Sequence, residues 1–87
     1  MRTRSFLTIG LVGPDRTGAI AAVTQHLFRL GANIESLEEQ VARGKFRMTL
    51  LASWPAQKIH EASVRRGLEE VARRLRMKLT LRSAEGG

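Results

Sequence analysis

The sequence predicts an α+β sandwich, a four-stranded antiparallel sheet carrying two helices on one face. Three observations predict it. Apolar residues alternate with period two in the runs 5–12, 46–52 and 77–82, and less regularly in 33–41, which is the spacing of strands. Two other stretches, ending at Leu30 and Leu75, repeat apolar residues at three- and four-residue steps, which is the spacing of helices. The resulting order is strand, helix, strand, strand, helix, strand, and right-handed crossovers then place both helices on the same side of one sheet.

In the first strand Leu7, Ile9 and Leu11 fall on one face, and Phe6, Thr8, Gly10 and Val12 on the other. The larger aliphatics belong to the core. The other face is half apolar, which leaves it room for a cover. After a Gly/Pro loop, Ile20, Val23, Leu27 and Leu30 form the first helical stripe, with Ala19 and Ala22 allowing close approach to a sheet. Gly31 stands where a left-handed cap residue ends a helix. Phe28 points off the stripe and marks a subunit contact, while His26 lies on the stripe's edge as a boundary residue with no catalytic role.

Residues 33–41 resume strand character. Ile34 and Leu37 have opposite parity, so a bulge or twist is expected between them. Arg43-Gly44-Lys45 is a short turn into a strand in which Phe46, Met48, Leu50 and Ala52 alternate inward, and the two runs read as a hairpin. Trp54-Pro55 is expected to break that strand, since Pro55 suits the first turn of a helix. Val64, Leu68, Val71 and Leu75 form the second stripe, with Ala72 beside them. Ile59 is out of phase, so either the helix starts after it or it packs separately. Gly67 weakens this helix by roughly 1 kcal/mol against Ala and permits a close neighbour. Met77, Leu79 and Leu81 give the last strand, and 83–87 reads as a frayed, flexible tail after a single domain spanning 1–82. This is the ferredoxin-like βαββαβ order, which hosts many functions and settles none of them.

Composition narrows the functions. Eighty-seven residues make one domain, small enough that oligomerisation is expected to supplement its core. There is no cysteine, which removes disulfides, thiol nucleophiles and cysteine–metal sites and fits a reducing, cytoplasmic setting. Two separate histidines make a poor metal cage, so no metal and no cofactor are expected. No apolar run is long enough to cross a membrane. The formal net charge is +7, but much of it sits on one helical face where Glu61/Arg65, Glu69/Arg73 and Glu70/Arg74 are four apart, a spacing that pairs charges.

No catalytic set is evident. The serines lack a histidine partner and neither histidine has an orienting carboxylate, so no catalytic residue is assigned and the chain is read as a non-enzyme. RNA binding is a natural question because the RNA-recognition motif shares this element order. That motif needs aromatics where Lys45, Arg47 and Leu50 stand here, and Phe46 has core parity. The stacking platform is missing, which argues against nucleic acid as the partner.

The loop Gly13-Pro14-Asp15-Arg16-Thr17-Gly18 joins the first strand to the first helix. Its glycines allow close approach or positive φ, and the helix start beyond it offers unpaired amides and partial positive charge to a small anion. Asn33 begins the strand after that helix, at the helix's opposite end. A two-fold dimer that sets the first helix and second strand of each copy against the other would bring Asn33 to the loop of its mate.

With this loop, Ile20-Ala21-Ala22-Val23, Gly31-Ala32-Asn33-Ile34 and the hairpin around Gln40-Val41 and Phe46-Arg47-Met48, the chain resembles the ACT domain family over residues 5–82. The likeness is to small single-domain members and to the ACT domains of formyltetrahydrofolate deformylase and of glycine-cleavage repressor-like proteins. The resemblance implies a homodimeric regulatory module that binds an amino acid or related metabolite between subunits and acts on a regulated enzyme. Carried over residue by residue, the ligand-binding positions are Asp15, Arg16, Thr17 and Gly18 of one subunit with Asn33 and Ile34 of the other. Thr17 stands where many relatives have Pro, and Asp15 where serine-binding relatives have Asn. Asp15 welcomes an ammonium and repels a carboxylate. The alternatives are a ligand-free dimerisation module and a basic nucleic-acid binder.

Overall fold

The computed structural model describes residues 3–14 and 18–84. Its elements are β1 (Arg4–Pro14), α1 (Gly18–Leu30), β2 (Asn33–Ala42), β3 (Lys45–Pro55), α2 (Glu61–Leu75) and β4 (Lys78–Ala84). One antiparallel sheet holds all four strands in the order β2-β3-β1-β4. α1 contacts β2, α2 contacts β4, and the helices contact each other, so both cover the same face.

The core follows from the two periodicities. Leu7, Ile9 and Leu11 of β1 and Phe46, Met48, Leu50, Ala52 and Trp54 of β3 are buried beneath Ala19, Val23 and Leu27 of α1 and Val64, Leu68 and Val71 of α2. Each large side chain so enclosed contributes about 1.5–3 kcal/mol. Ile59 packs against this core from outside the helix, which starts at Glu61. Phe6, Val12 and Leu51 lie half-buried on the open face of the sheet.

Two boundaries differ from expectation. β3 does not break at Trp54. The inward alternation that begins at Phe46 continues through Trp54, and Pro55 is the last strand residue, opposite Arg4. A proline lacks the N–H that a ladder interior needs, and a ladder end does not require it. The final strand also runs past 82, with Ser83 opposite Leu7 and Ala84 opposite Phe6. Ser83 is held by its hydroxyl, which donates to Glu61 Oε2 at 2.7 Å and accepts from the Arg65 guanidinium at 3.0 Å. Residues 85–87 lie outside the described part.

Both helices end on a left-handed residue. After α1 this is Gly31 at φ 87°, with the Gly31 amide donating to Phe28 and the Ala32 amide to Leu27. After α2 it is Arg76 at φ 57° and ψ 47°, and the Met77 amide donates to Ala72. Of the three expected charge pairs on α2, Glu61–Arg65 forms at 2.7 Å, whereas Glu70 pairs with Arg73, one residue nearer than expected, at 3.6 Å.

Candidate functional site

The loop at the end of β1 leads directly into α1. Asp15, Arg16 and Thr17, three of the six expected ligand-binding positions, lie outside the described residues. Gly13, Pro14 and Gly18 bracket them. Positive φ is confined among the described glycines to Gly31 and Gly44, so Gly13 and Gly18 are not there for a left-handed turn. Packing accounts for Gly13, because a Cβ there would come within 2.8 Å of the Met77 side chain. Packing against the described residues does not account for Gly18, since a Cβ there would meet none of their atoms within 4 Å. No acidic residue occupies the first turn of α1.

Asn33 and Ile34 open β2 at the other end of the sheet. Pro14 pairs with Lys45 and Lys45 with Ala42, whereas Asn33 pairs with Ser53. Eight residues of β3 separate those two rows, which is roughly 26 Å at the strand rise. Within one protomer the loop and Asn33 are therefore far apart.

β2 is an edge strand, and every residue in it is exposed. Ile34, Leu37 and Val41 pair with Ala52, Leu50 and Phe46. Directly opposite residues share a face, so this apolar row lies on the helix side of the sheet, beyond the cover of α1. Phe28 of α1 is 83% exposed and Val41 56%. His26 of α1 touches α2 through the Val64 carbonyl. Phe28, two residues on, lies about 160° round the helix from His26, on the flank away from α2 and over β2. The sequence marked Phe28 as a subunit contact. It did not mark Val41, whose alternation is that of an ordinary covered strand.

At the Asn33 end the structure assembles a polar group that sequence reasoning missed. Ser53 is the one buried polar residue among those described. Its hydroxyl donates to Glu35 Oε2 at 2.5 Å and accepts from the Arg4 guanidinium at 3.0 Å. The register of β2 shifts between Ile34 and Ser36, so Glu35 sits in the bulge that the parity of Ile34 and Leu37 signals.

The open face of the sheet carries Lys45 and Arg47 at two of the positions where an RNA platform would need rings, and Leu50, the third, is buried beneath the helices together with Phe46. Clefts on this face are lined by Val12, Gln40, Lys45 and Arg47, and by Thr8, Thr80 and Arg82. Among the described residues no group of three or more His, Asp or Glu side chains is arranged to hold a metal ion, and no helix is long and apolar enough to cross a membrane.

A search of curated proteins finds no match. Solved structures do match. An ACT domain protein from Streptococcus pneumoniae superposes with a TM-score of 0.77 at 26% identity, over 92% of this chain and 90% of that one. A putative glycine cleavage system transcriptional repressor gives 0.85 at 19% identity, over 97% of this chain and 48% of the repressor. A formyltetrahydrofolate deformylase from Burkholderia mallei gives 0.76 at 22% identity, over 90% of this chain and 28% of the enzyme. The last two likenesses are of fold, and the chain spans less than half of either protein. The ACT domain family model matches residues 5–82; with its βαββαβ order and antiparallel sheet, the chain belongs to the ACT domain family.

Proposed function

We propose that this chain is a regulatory module that binds a small amino acid, or a related metabolite, between the subunits of a homodimer. The observation that carries the reading is the uncovered apolar flank made by Phe28, Ile34, Leu37 and Val41 along an unpaired edge strand. An edge of this kind invites a further strand, and a second copy supplies one with a self-complementary surface. Antiparallel mating of two β2 strands sets Asn33 of one copy toward the Ala42 end of the other. That is the end where Pro14 closes β1 and the loop enters α1.

In this arrangement the start of α1, beyond the loop that carries Asp15, comes to the Asn33 end of the mate. The Asn33 amide both donates and accepts hydrogen bonds, which suits a zwitterion, and Asp15 suits its ammonium. The ligand would bias the dimer, or an enzyme docked on it, by binding one arrangement better than another. The reading assigns the chain no reaction of its own and places it in the cytoplasm.

Calorimetry with each of the twenty amino acids, on wild type and on Asn33→Ala, tests it. Saturable heat for at least one amino acid in wild type, lost in the variant, is expected. No heat in wild type at millimolar ligand overturns the ligand and leaves a dimerisation module, the second reading that the apolar flank supports by itself.

A further inference from the structure

Asn33 and Ile34 lie on opposite faces of an edge strand, and one irregularity decides which face each takes. From Ala42 back to Ser36, β2 pairs with β3 residue for residue. Then Ser36 stands opposite Leu51 and Ile34 opposite Ala52, so Glu35 has no residue opposite it. Were the regular register to continue, Glu35 would stand opposite Ala52, Ile34 opposite Ser53 and Asn33 opposite Trp54. Both Asn33 and Ile34 would then change faces.

Within one protomer β2 has a neighbour on one side only, so there the choice between the two registers rests on what β3 and its surroundings offer. They offer Ser53. Its buried hydroxyl holds Glu35 Oε2 at 2.5 Å, and the Arg4 guanidinium holds the hydroxyl in turn at 3.0 Å. Ser53 belongs to the open face, opposite Phe6. In the regular register Glu35 would share the helix-covered face with Ala52, and its carboxylate would be directed away from Ser53. The hydrogen bond is thus available only when Glu35 is bulged, and it is made to a charged acceptor, the stronger kind.

We infer that Glu35, gripped by Ser53 and Arg4, is a positioning residue: it selects the bulged register and so aims Asn33 at the open face and Ile34 at the helix side. The consequence for ligand binding rests on the proposed function, whereas the register itself does not.

Nuclear magnetic resonance reads the register directly from contacts between cross-strand pairs. Wild type is expected to show Asn33 opposite Ser53. Glu35→Ala is expected to lose that pairing in favour of Asn33 opposite Trp54, or an average of the two, with the fold intact because Glu35 is exposed. Glu35→Gln keeps an acceptor for the Ser53 hydroxyl and is expected to keep the wild-type pairing. In calorimetry with the twenty amino acids, Glu35→Ala should weaken binding about tenfold and Glu35→Gln by less than about threefold. Wild-type pairing retained in Glu35→Ala overturns the inference. Because the pairing is read without ligand, a wild type that takes up no amino acid counts against the ligand proposal alone.

Discussion

The imidazole of His26 rests on the bare backbone of Gly67. A side chain at position 67 would overlap the ring, and His26 Nε2 lies 3.1 Å from the Val64 carbonyl one turn earlier. A carbonyl only accepts, so Nε2 carries the proton. Gly67 thereby sets how closely α1 and α2 approach.

Gly67→Ala should therefore destabilise the protein. An alanine in an open helix position gains about 1 kcal/mol over glycine. Here it must displace a packed ring at about 1–3 kcal/mol, and the second effect wins. Adding His26→Ala to Gly67→Ala should recover part of the loss, because contacting sites couple. Urea denaturation at fixed protein concentration measures both, and a Gly67→Ala protein at least as stable as wild type would refute the account.

In the proposed dimer, Phe28→Glu should shift the protein toward monomer with little change in the fold of each subunit. The ring is already in water in one protomer, so the subunit loses little. A two-fold interface loses the ring twice, at about 1.5–3 kcal/mol each, enough to raise the dissociation constant at least about a hundredfold. Sedimentation of wild type and variant over micromolar concentrations checks it, and an unchanged distribution removes Phe28 from the interface.

The Glu61 carboxyl titrates below its ordinary value of 4.5, first because of the Ser83 hydroxyl, then because of the Arg65 guanidinium, against the opposing effect of burial. A carboxyl whose folded pKa is lowered adds stability above its unfolded pKa and loses it as pH falls through the folded one. The tie between α2 and β4 should thus weaken below about pH 4.5, modestly, since the pair is partly exposed and screened. In a titration followed by resonance shifts, Ser83→Ala should move the Glu61 midpoint up toward 4.5. No movement would mean that the hydroxyl is not the main cause.

Two arginines hold backbone angles that glycine or asparagine adopts more readily. Arg43, at φ 55°, and Gly44, at φ 77°, form the two-residue turn between β2 and β3, and Arg76 ends α2 at φ 57°. Arg43→Asn and Arg76→Gly should each raise stability by about 0.5–1 kcal/mol, the cost of a left-handed residue less the glycine's greater freedom when unfolded. Thermal melts decide, and a lower midpoint for either variant would show that the arginine makes a compensating contact.

What the sequence made legible was periodic. Leu7, Ile9 and Leu11, the Phe46 alternation and the Val64 stripe declare themselves by spacing, and the clash of parity between Ile34 and Leu37 announced the bulge. Arg76 was hidden because its conformation is imposed by its neighbours. Met77 must turn inward and its amide must reach Ala72, whatever residue precedes it. Pro55 misled because a proline at a ladder end and one at a helix start look alike until the parity of Trp54 is followed. The Arg4–Ser53–Glu35 group joins residues 49 and 18 positions apart, and no local pattern marks a contact that only strand register creates.

The pairing of Phe6 with Ala84 has an architectural consequence. The first and last strands are neighbours and run in opposite directions, so the chain enters and leaves the fold at one place, about one strand spacing apart. A unit with adjoining ends can be spliced into a surface loop of a host enzyme, or strung in tandem, without threading either flank through the sheet. Adjoining ends thus make the domain a portable cassette.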